Sequence, residues 1–337
     1  VQPSLNLSDV ERFLVVRPPL KEQTAIANAL SDVDNLIAAL ETLIAKKSAI
    51  KTAAMQQLLT GKKRLPGFAK LSEAQGKKQY EGQAETQSHP QPADSAVMAK
   101  NHPTQNVHQY STPTTDTTDT TTNHNTQTAR PGYKHTELGE IPEDWEVRTI
   151  GDVALIDPEN LGATTEPDYG FNYISLEQVR YGSLLGTNKM NFRNAPSRAR
   201  RVVKKGDVLV ATVRPNLMSH YVQKRDCVDL ICSTGFSVVR PDPFVGCGEF
   251  LFYHFFAGVI NSQIDMLISG SNYPAINSGD VRGLKVTLPP LEEQTAIANV
   301  LADMDAELDT LQQRLSKTKT IKQGMMQELL TGKTRLI

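Results

Sequence analysis

Apolar residues recur along two stretches of the chain at alternating steps of four and three. In the first they fall at Ile26, Leu30, Val33, Ile37, Leu40 and Ile44. In the second they fall at Ile297, Leu301, Met304, Leu308, Leu311 and Leu315. That spacing marks a helix packed lengthwise along another helix. The two stretches are copies. Residues 18–65 align with 289–336 without a gap, 271 positions apart, with 26 identities in 48 positions. "PPLKEQTAIAN" opens the first copy and "PPLEEQTAIAN" the second, and both close on "LLTGK". Paired prolines suit a helix start, where a missing N–H costs least. Glu22, Glu292 and Glu293 fall in the first turns, where negative charge suits the helix dipole. Gly61 and Gly332 stand where a left-handed residue ends a helix. Each helix of about 40 residues is a rod of roughly 60 Å. Such a narrow-striped helix is marginal alone, so the pattern predicts antiparallel pairing of the two copies, with pairing to another protein as the alternative. Lys51 and Lys322 interrupt the stripes at equivalent positions, which can fix register. Leu36, Leu43 and Ile50 form a second, weaker apolar row, open to a partner.

Between the copies the pattern changes. Residues 66–133 hold "STPTTDTTDTTTNHNTQT" and almost no apolar residues, which predicts a disordered linker. His89, His102, His108 and His124 fall there without metal-site spacing. Residues 134–288 carry short apolar or alternating runs, "FNYISL", "DVLVATV", "FSVVRP" and "GLKVTL", separated by turn residues, as strands are. "GEFLFYHFFAGVINSQIDMLI" reads as one late buried helix. The fold class expected is α+β: a mainly β domain with a late helix, plus two long helices in an antiparallel coiled-coil spacer. The repeat extends faintly upstream, since "QPSLNLSDVERFLVV" echoes "YPAINSGDVRGLKVT". The repeating unit is thus a domain followed by a helix, 134–288 and then 289–337. Residues 1–17 read as the last edge of a first such domain, with about 137 residues of it absent by the repeat offset.

Composition and charge narrow the chemistry. Of 337 residues 39% are hydrophobic and 22% charged, and no apolar run approaches the ~20 residues of a membrane span. The start at Val1 shows no signal-peptide pattern, and a cytoplasmic protein without membrane contact is expected. Cys227, Cys232 and Cys247 lack metal or disulfide-framework spacing and read as reduced buried thiols. The formal net charge of −1 conceals an asymmetry. Residues 134–179 carry two basic and eleven acidic side chains, whereas 180–225 carry eleven basic and one acidic, Asp207. A basic block in a folded domain is a footprint for polyanions, unless the acidic block neutralises it. Catalytic motifs are missing. "LLTGKT" lacks the first glycine of a phosphate loop and closes a helix rather than opening one. No metal ligand set, catalytic residue or resident cofactor is expected.

In order along the chain stand "YKHTELGEIPEDWEV", "KKGDVLVATVRP", "STGFSVVRP" and "PPLEEQTAIANVLADMD" with its closing "LLTGK". Together they resemble the specificity subunit of type I restriction–modification systems. The likeness covers the chain apart from the linker. It implies a non-catalytic DNA-specificity subunit whose recognition domain reads one half of a split site on double-stranded DNA. Its helices would form the spacer on which modification subunits, carrying S-adenosylmethionine, dock; restriction subunits would join through the complex. Such subunits ordinarily have two recognition domains. One domain and a remnant imply either a fragment or a truncated subunit that pairs with itself through its helices. The alternatives are an assembly or decoy subunit that binds modification subunits without reading DNA, and the recognition tail of a fused restriction–methylation enzyme.

On that resemblance the basic block becomes the candidate DNA face. Arg193, Arg198, Arg200 and Arg201 form one stretch, with Lys204 and Lys205 beyond it. Arg214, Asn216, Ser219, His220 and Tyr221 form a second, with Lys224 and Arg225 following. Ser271, Asn272 and Tyr273 form a third. Cations would hold phosphates and the polar groups would meet base edges. Ile141 and Trp145 are expected to seat the domain against the spacer. Leu36, Leu43 and Ile50 are expected to dock the modification subunit.

Overall fold

The computed structural model describes residues 6, 10–13, 15–69, 129–268 and 274–336. Of the linker expected over 66–133, residues 70–128, with the four histidines, lie outside them, as do Ser271, Asn272 and Tyr273.

Helix α1 spans Leu20–Leu58. A run of short elements then builds the domain: β1 (Tyr133–Thr136), β2 (Gly139–Pro142), β3 (Glu146–Thr149), α2 (Ile150–Val153), β4 (Ala154–Ile156) and β5 (Gly170–Ile174). There follow β6 (Val179–Arg180), β7 (Ser183–Leu184), β8 (Asn188–Asn191), β9 (Ala199–Val202), β10 (Val208–Ala211) and β11 (Tyr221–Val222). Next come β12 (Leu230–Ser233), β13 (Phe236–Pro241), α3 (Gly248–His254), α4 (Gly258–Ile268), α5 (Ser278–Gly283) and β14 (Lys285–Leu288). Helix α6 (Leu291–Leu330) ends the series. The protein is thus α+β, a mainly β domain between two long helices.

Two four-stranded sheets make the body of the domain. One is antiparallel in the order β11-β10-β13-β4; the other runs β8-β5-β12-β9, with β12 parallel to β5. Val208, Val210 and Val239 of the first sheet are fully buried in the same core as Phe250, Leu251, Phe255, Ile297 and Leu301. That core joins the domain to α6. The expected single late helix is two. The chain turns at Phe255–Ala257, where the amide of Ala257 donates to the carbonyl of His254 (2.9 Å) and Phe255 stays fully buried. Gly258 then starts the second helix.

Helices α1 and α6 lie antiparallel, as their cross-helix ion pairs show. Going up α1, Glu22, Asp34, Glu41, Lys47 and Lys51 meet Arg335, Lys322, Lys319, Glu307 and Asp305 in descending order. Ile26, Leu40, Ile297, Leu301 and Leu308 are buried; Leu30, Val33, Ile37, Ile44, Met304, Leu311 and Leu315 are half-buried. Leu36, Leu43 and Ile50 are exposed. The two lysines that break the apolar stripes have a structural reason. Lys51 reaches Asp305 on α6, and its repeat counterpart Lys322 reaches Asp34 on α1. Asp34 and Asp305 are themselves counterparts, so one ion pair is made twice about a pseudo-twofold axis.

Candidate nucleic-acid interface

The end of α1 is locked into the domain by a buried clamp. Gly61 takes a left-handed φ of 67°, and a β-carbon there would stand 2.4 Å from Cδ of Pro142. Only glycine allows the chain to pass under Pro142 and Trp145. Three residues on, Arg64 donates to both carboxylate oxygens of Asp144 (2.9 and 2.8 Å) and, through Nε, to Glu293 of α6 (2.9 Å). The indole Nε1 of Trp145 donates to the same Glu293 (3.0 Å). Tyr133 donates its hydroxyl to the carbonyl of Gly61 (3.0 Å), and Thr287 its hydroxyl to the carbonyl of Leu59. Ile141 and Trp145 are fully buried here. Glu22 and Arg335 repeat the Glu293–Arg64 pair at the far end of the helices, bidentate at 2.7 Å. The Arg335 side chain is 61% exposed, against 2% for Arg64. One end of the rod therefore carries a fully covered joint; at the other the arginine of the same pair is exposed and lies over a buried Glu22 carboxylate.

The clamp fixes how the domain presents its basic block. The block's one acid, Asp207, is buried beneath Arg240, which donates to both its oxygens (2.8 Å each). Four of the eleven cations are matched by carboxylates: Arg193 by Asp168, Arg201 by Asp157, Lys204 by Glu159 and Lys205 by Asp226. Three of those acids come from the acidic block, which neutralises its neighbour only in part. Arg180, Lys189, Arg198, Arg214, Lys224 and Arg225 are exposed and form no ion pair among the described residues. Arg200 lies half-buried across the Phe192 ring, 4.6 Å from its centroid.

Two candidates for DNA contact point inward instead. Arg201 is held by Asp157, the carbonyl of Phe236 and Ser278 Oγ, tying β9 to β13 and α5. Its guanidinium closes an internal network around a carboxylate and does not face solvent. His220 is fully buried; its Nδ1 accepts from the amide of Ala211 (3.2 Å), and its ring packs against Phe255 and Phe256. Spacing in the sequence placed both beside exposed neighbours but carried no sign of these partners. Tyr221 is half-buried, its hydroxyl donating to Gln223 (2.8 Å), and Ser219 is half-buried.

Arg214, Asn216, Lys224 and Arg225 gather at two places. Asn216 lies within the Pro215–Leu217 turn, which is bracketed by left-handed Arg214 (φ 50°) and Met218 (φ 49°). The amide of Arg214 donates to the carbonyl of Pro274 (2.9 Å), and Val213 bridges Ala275. This brings the second stretch alongside the chain that follows the third. Arg180, Tyr181, Tyr221, Lys224 and Arg225 line an open cleft of about 1420 Å³ between the domain and the helices. Its far wall includes Lys51, Asp305 and Asp309. The Arg180–Tyr181–Gly182 tip was not among the sequence candidates. Its signal is the Tyr-Gly pair between two short apolar-polar runs, a two-residue turn.

Burial has a consequence for stability. His220 and His254 are both enclosed, and desolvation pulls each imidazole from its ordinary value near 6.5 down to about 3. The unfolded chain takes up protons near pH 6.5 that the folded chain refuses until about pH 3. Stability is therefore whole above that range and falls as pH drops through it, by about 1.4 kcal/mol per pH unit for each histidine. The urea midpoint is expected to be lower at about pH 5 than at about pH 7. A midpoint that holds or rises on acidification contradicts this.

The geometry defines a class: a mainly β domain carrying a basic block, clamped onto one end of a two-helix rod. Comparison with known proteins identifies the family. Residues 142–320 match the family described as "Type I restriction modification DNA specificity domain". The MjaVIII type I restriction enzyme specificity subunit of Methanocaldococcus jannaschii is 24% identical over 347 residues, 99% of this chain and 65% of that protein. The MjaX specificity subunit of the same organism is 24% identical over 339 residues, 99% of this chain and 62% of that protein. Among solved structures, the HsdS subunit from Thermoanaerobacter tengcongensis is 31% identical, covering 56% of this chain and 47% of that one, with a TM-score of 0.44. The chain belongs to the type I restriction–modification specificity family. It spans less than two thirds of the length of the two M. jannaschii relatives. No described helix is long and apolar enough to cross a membrane.

Proposed function

We propose that the chain is a non-catalytic DNA-specificity subunit. Its domain reads one half-site on double-stranded DNA, and its paired helices form the scaffold for modification subunits that bring S-adenosylmethionine. Restriction subunits join through that complex. The observation that carries the reading is the family match across the domain and most of α6, on a domain whose basic block exposes six cations without a carboxylate partner among the described residues. The exposed row Leu36, Leu43 and Ile50 is the surface offered to the modification subunit, since the seam with α6 leaves it uncovered.

The test is duplex binding by the full chain across a salt series. Each phosphate neutralised by Lys or Arg contributes about −0.9 to the slope of log affinity against log salt. With about four such contacts, affinity should fall roughly a hundredfold between about 50 and 200 mM salt. Stable association with modification subunits without any duplex binding would favour the assembly role instead.

A further inference from the structure

Strands β6 and β7 pair as Val179 with Leu184 and Arg180 with Ser183, leaving Tyr181 and Gly182 as a two-residue turn. Both turn residues have positive φ, 47° and 83°. That turn favours Asn, Asp or Gly at its first position, because a β-carbon there crowds the following backbone. A tyrosine is out of place by that rule. Packing does not account for it either, since Tyr181 is 70% exposed. Nor is the tip loose. A β-carbon on Gly182 would come within 3.0 Å of Phe252 Cζ, with Phe256 next to it, so the turn sits directly on two rings of the domain. The fold holds an aromatic ring at a fixed, strained position in solvent, an arrangement that calls for a ligand contact.

The surroundings indicate which ligand. Arg180 precedes the ring, and Lys224 and Arg225 line the same cleft; all three are exposed without an acidic partner among the described residues. Leu185 and Val228, on the same wall, are 66% and 78% exposed. The acids of the cleft are either paired, as Asp226 with Lys205 and Asp305 with Lys51, or stand on the helix wall, as Asp309 does. The domain wall therefore offers a flat ring with apolar shoulders inside a set of cations. That suits a polyanion with apolar groups set between its phosphates, such as the thymine methyls of a duplex, and a two-stranded ribbon is narrow enough to enter the major groove.

We propose that Tyr181 is a DNA-contacting residue that lays its ring against a base, while Arg180, Lys224 and Arg225 hold the flanking phosphates. The proposal rests on the DNA-specificity reading above. Its test uses the full chain and a library of 30-base-pair duplexes of random sequence, with 5-iododeoxyuridine in place of thymidine. On irradiation the wild-type chain should cross-link through Tyr181, as peptide mapping by mass spectrometry would show. Tyr181→Gly relieves the backbone, so its thermal midpoint should equal or exceed that of wild type. Its duplex affinity should nevertheless fall by about 5- to 150-fold, the range for loss of one good base contact in a groove. Tyr181→Phe should keep both affinity and cross-link. Wild-type affinity in Tyr181→Gly, or cross-links that map only elsewhere, would overturn the proposal and leave the DNA reading intact. A wild-type chain that binds no duplex would overturn both.

Discussion

Arg64→Ala is expected to cost about 3–5 kcal/mol of folding stability, the usual range when one partner leaves a buried ion pair. The change removes the group that joins Asp144 of the domain to Glu293 of α6. Glu293, whose side chain is 0% exposed, would keep only the indole N–H of Trp145 as a side-chain partner. Arg64→Lys should rescue little, because a lysine cannot span both carboxylates with a planar fork. Arg335→Ala removes the equivalent residue at the other end. There water can replace the guanidinium, so the denaturant midpoint should barely move. The Arg335 guanidinium hydrogen-bonds Glu22 and holds its carboxyl below the usual range, but the guanidinium itself faces solvent, so its loss opens Glu22 to water. Equal effects from the two substitutions would show that the repeat alone, rather than what covers it, sets the energetics.

The second large effect concerns binding. Removing Arg180, Lys224 and Arg225 together should weaken duplex binding by about a hundredfold near 0.1 M salt and flatten the salt slope by about three. The paired cations make the contrast. Arg193→Ala with Lys205→Ala should do less, because Asp168 and Asp226 already neutralise those charges. Loss of affinity without a change of slope in the triple variant would mean that these cations act on the fold and not on phosphate.

The helices were legible because their order is local and doubled. The step of four and three, the prolines, the acidic first turns and the glycine stops all appear twice, and two of the ion pairs, Lys51–Asp305 and Arg64–Glu293, recur at the same offset. The seats of Ile141 and Trp145 were legible as packing residues. The clamp itself was not, because it assembles Arg64, Asp144 and Glu293 from three distant parts of the chain. A hint lay in "GKKRL" and "GKTRL", where arginine recurs at the same distance after each glycine. The basic block was legible as a charge count but not as a surface. Whether a given cation faces out depends on non-local acids such as Asp157 and Asp168, and no periodicity encodes those encounters. His220 is the clearest case. Between Ser219 and Tyr221 it looks like a loop residue, yet β10 and the phenylalanines after α3 enclose it.

The central claim is that this chain directs a modification enzyme to a DNA sequence. The most direct measurement is genome-wide mapping of methylated bases in cells expressing the chain with a type I modification subunit. New methylation at one defined sequence, lost when Arg180, Lys224 and Arg225 are replaced together, is the predicted result. No new methylation beside an intact complex, or methylation unchanged when the chain is deleted, would contradict it.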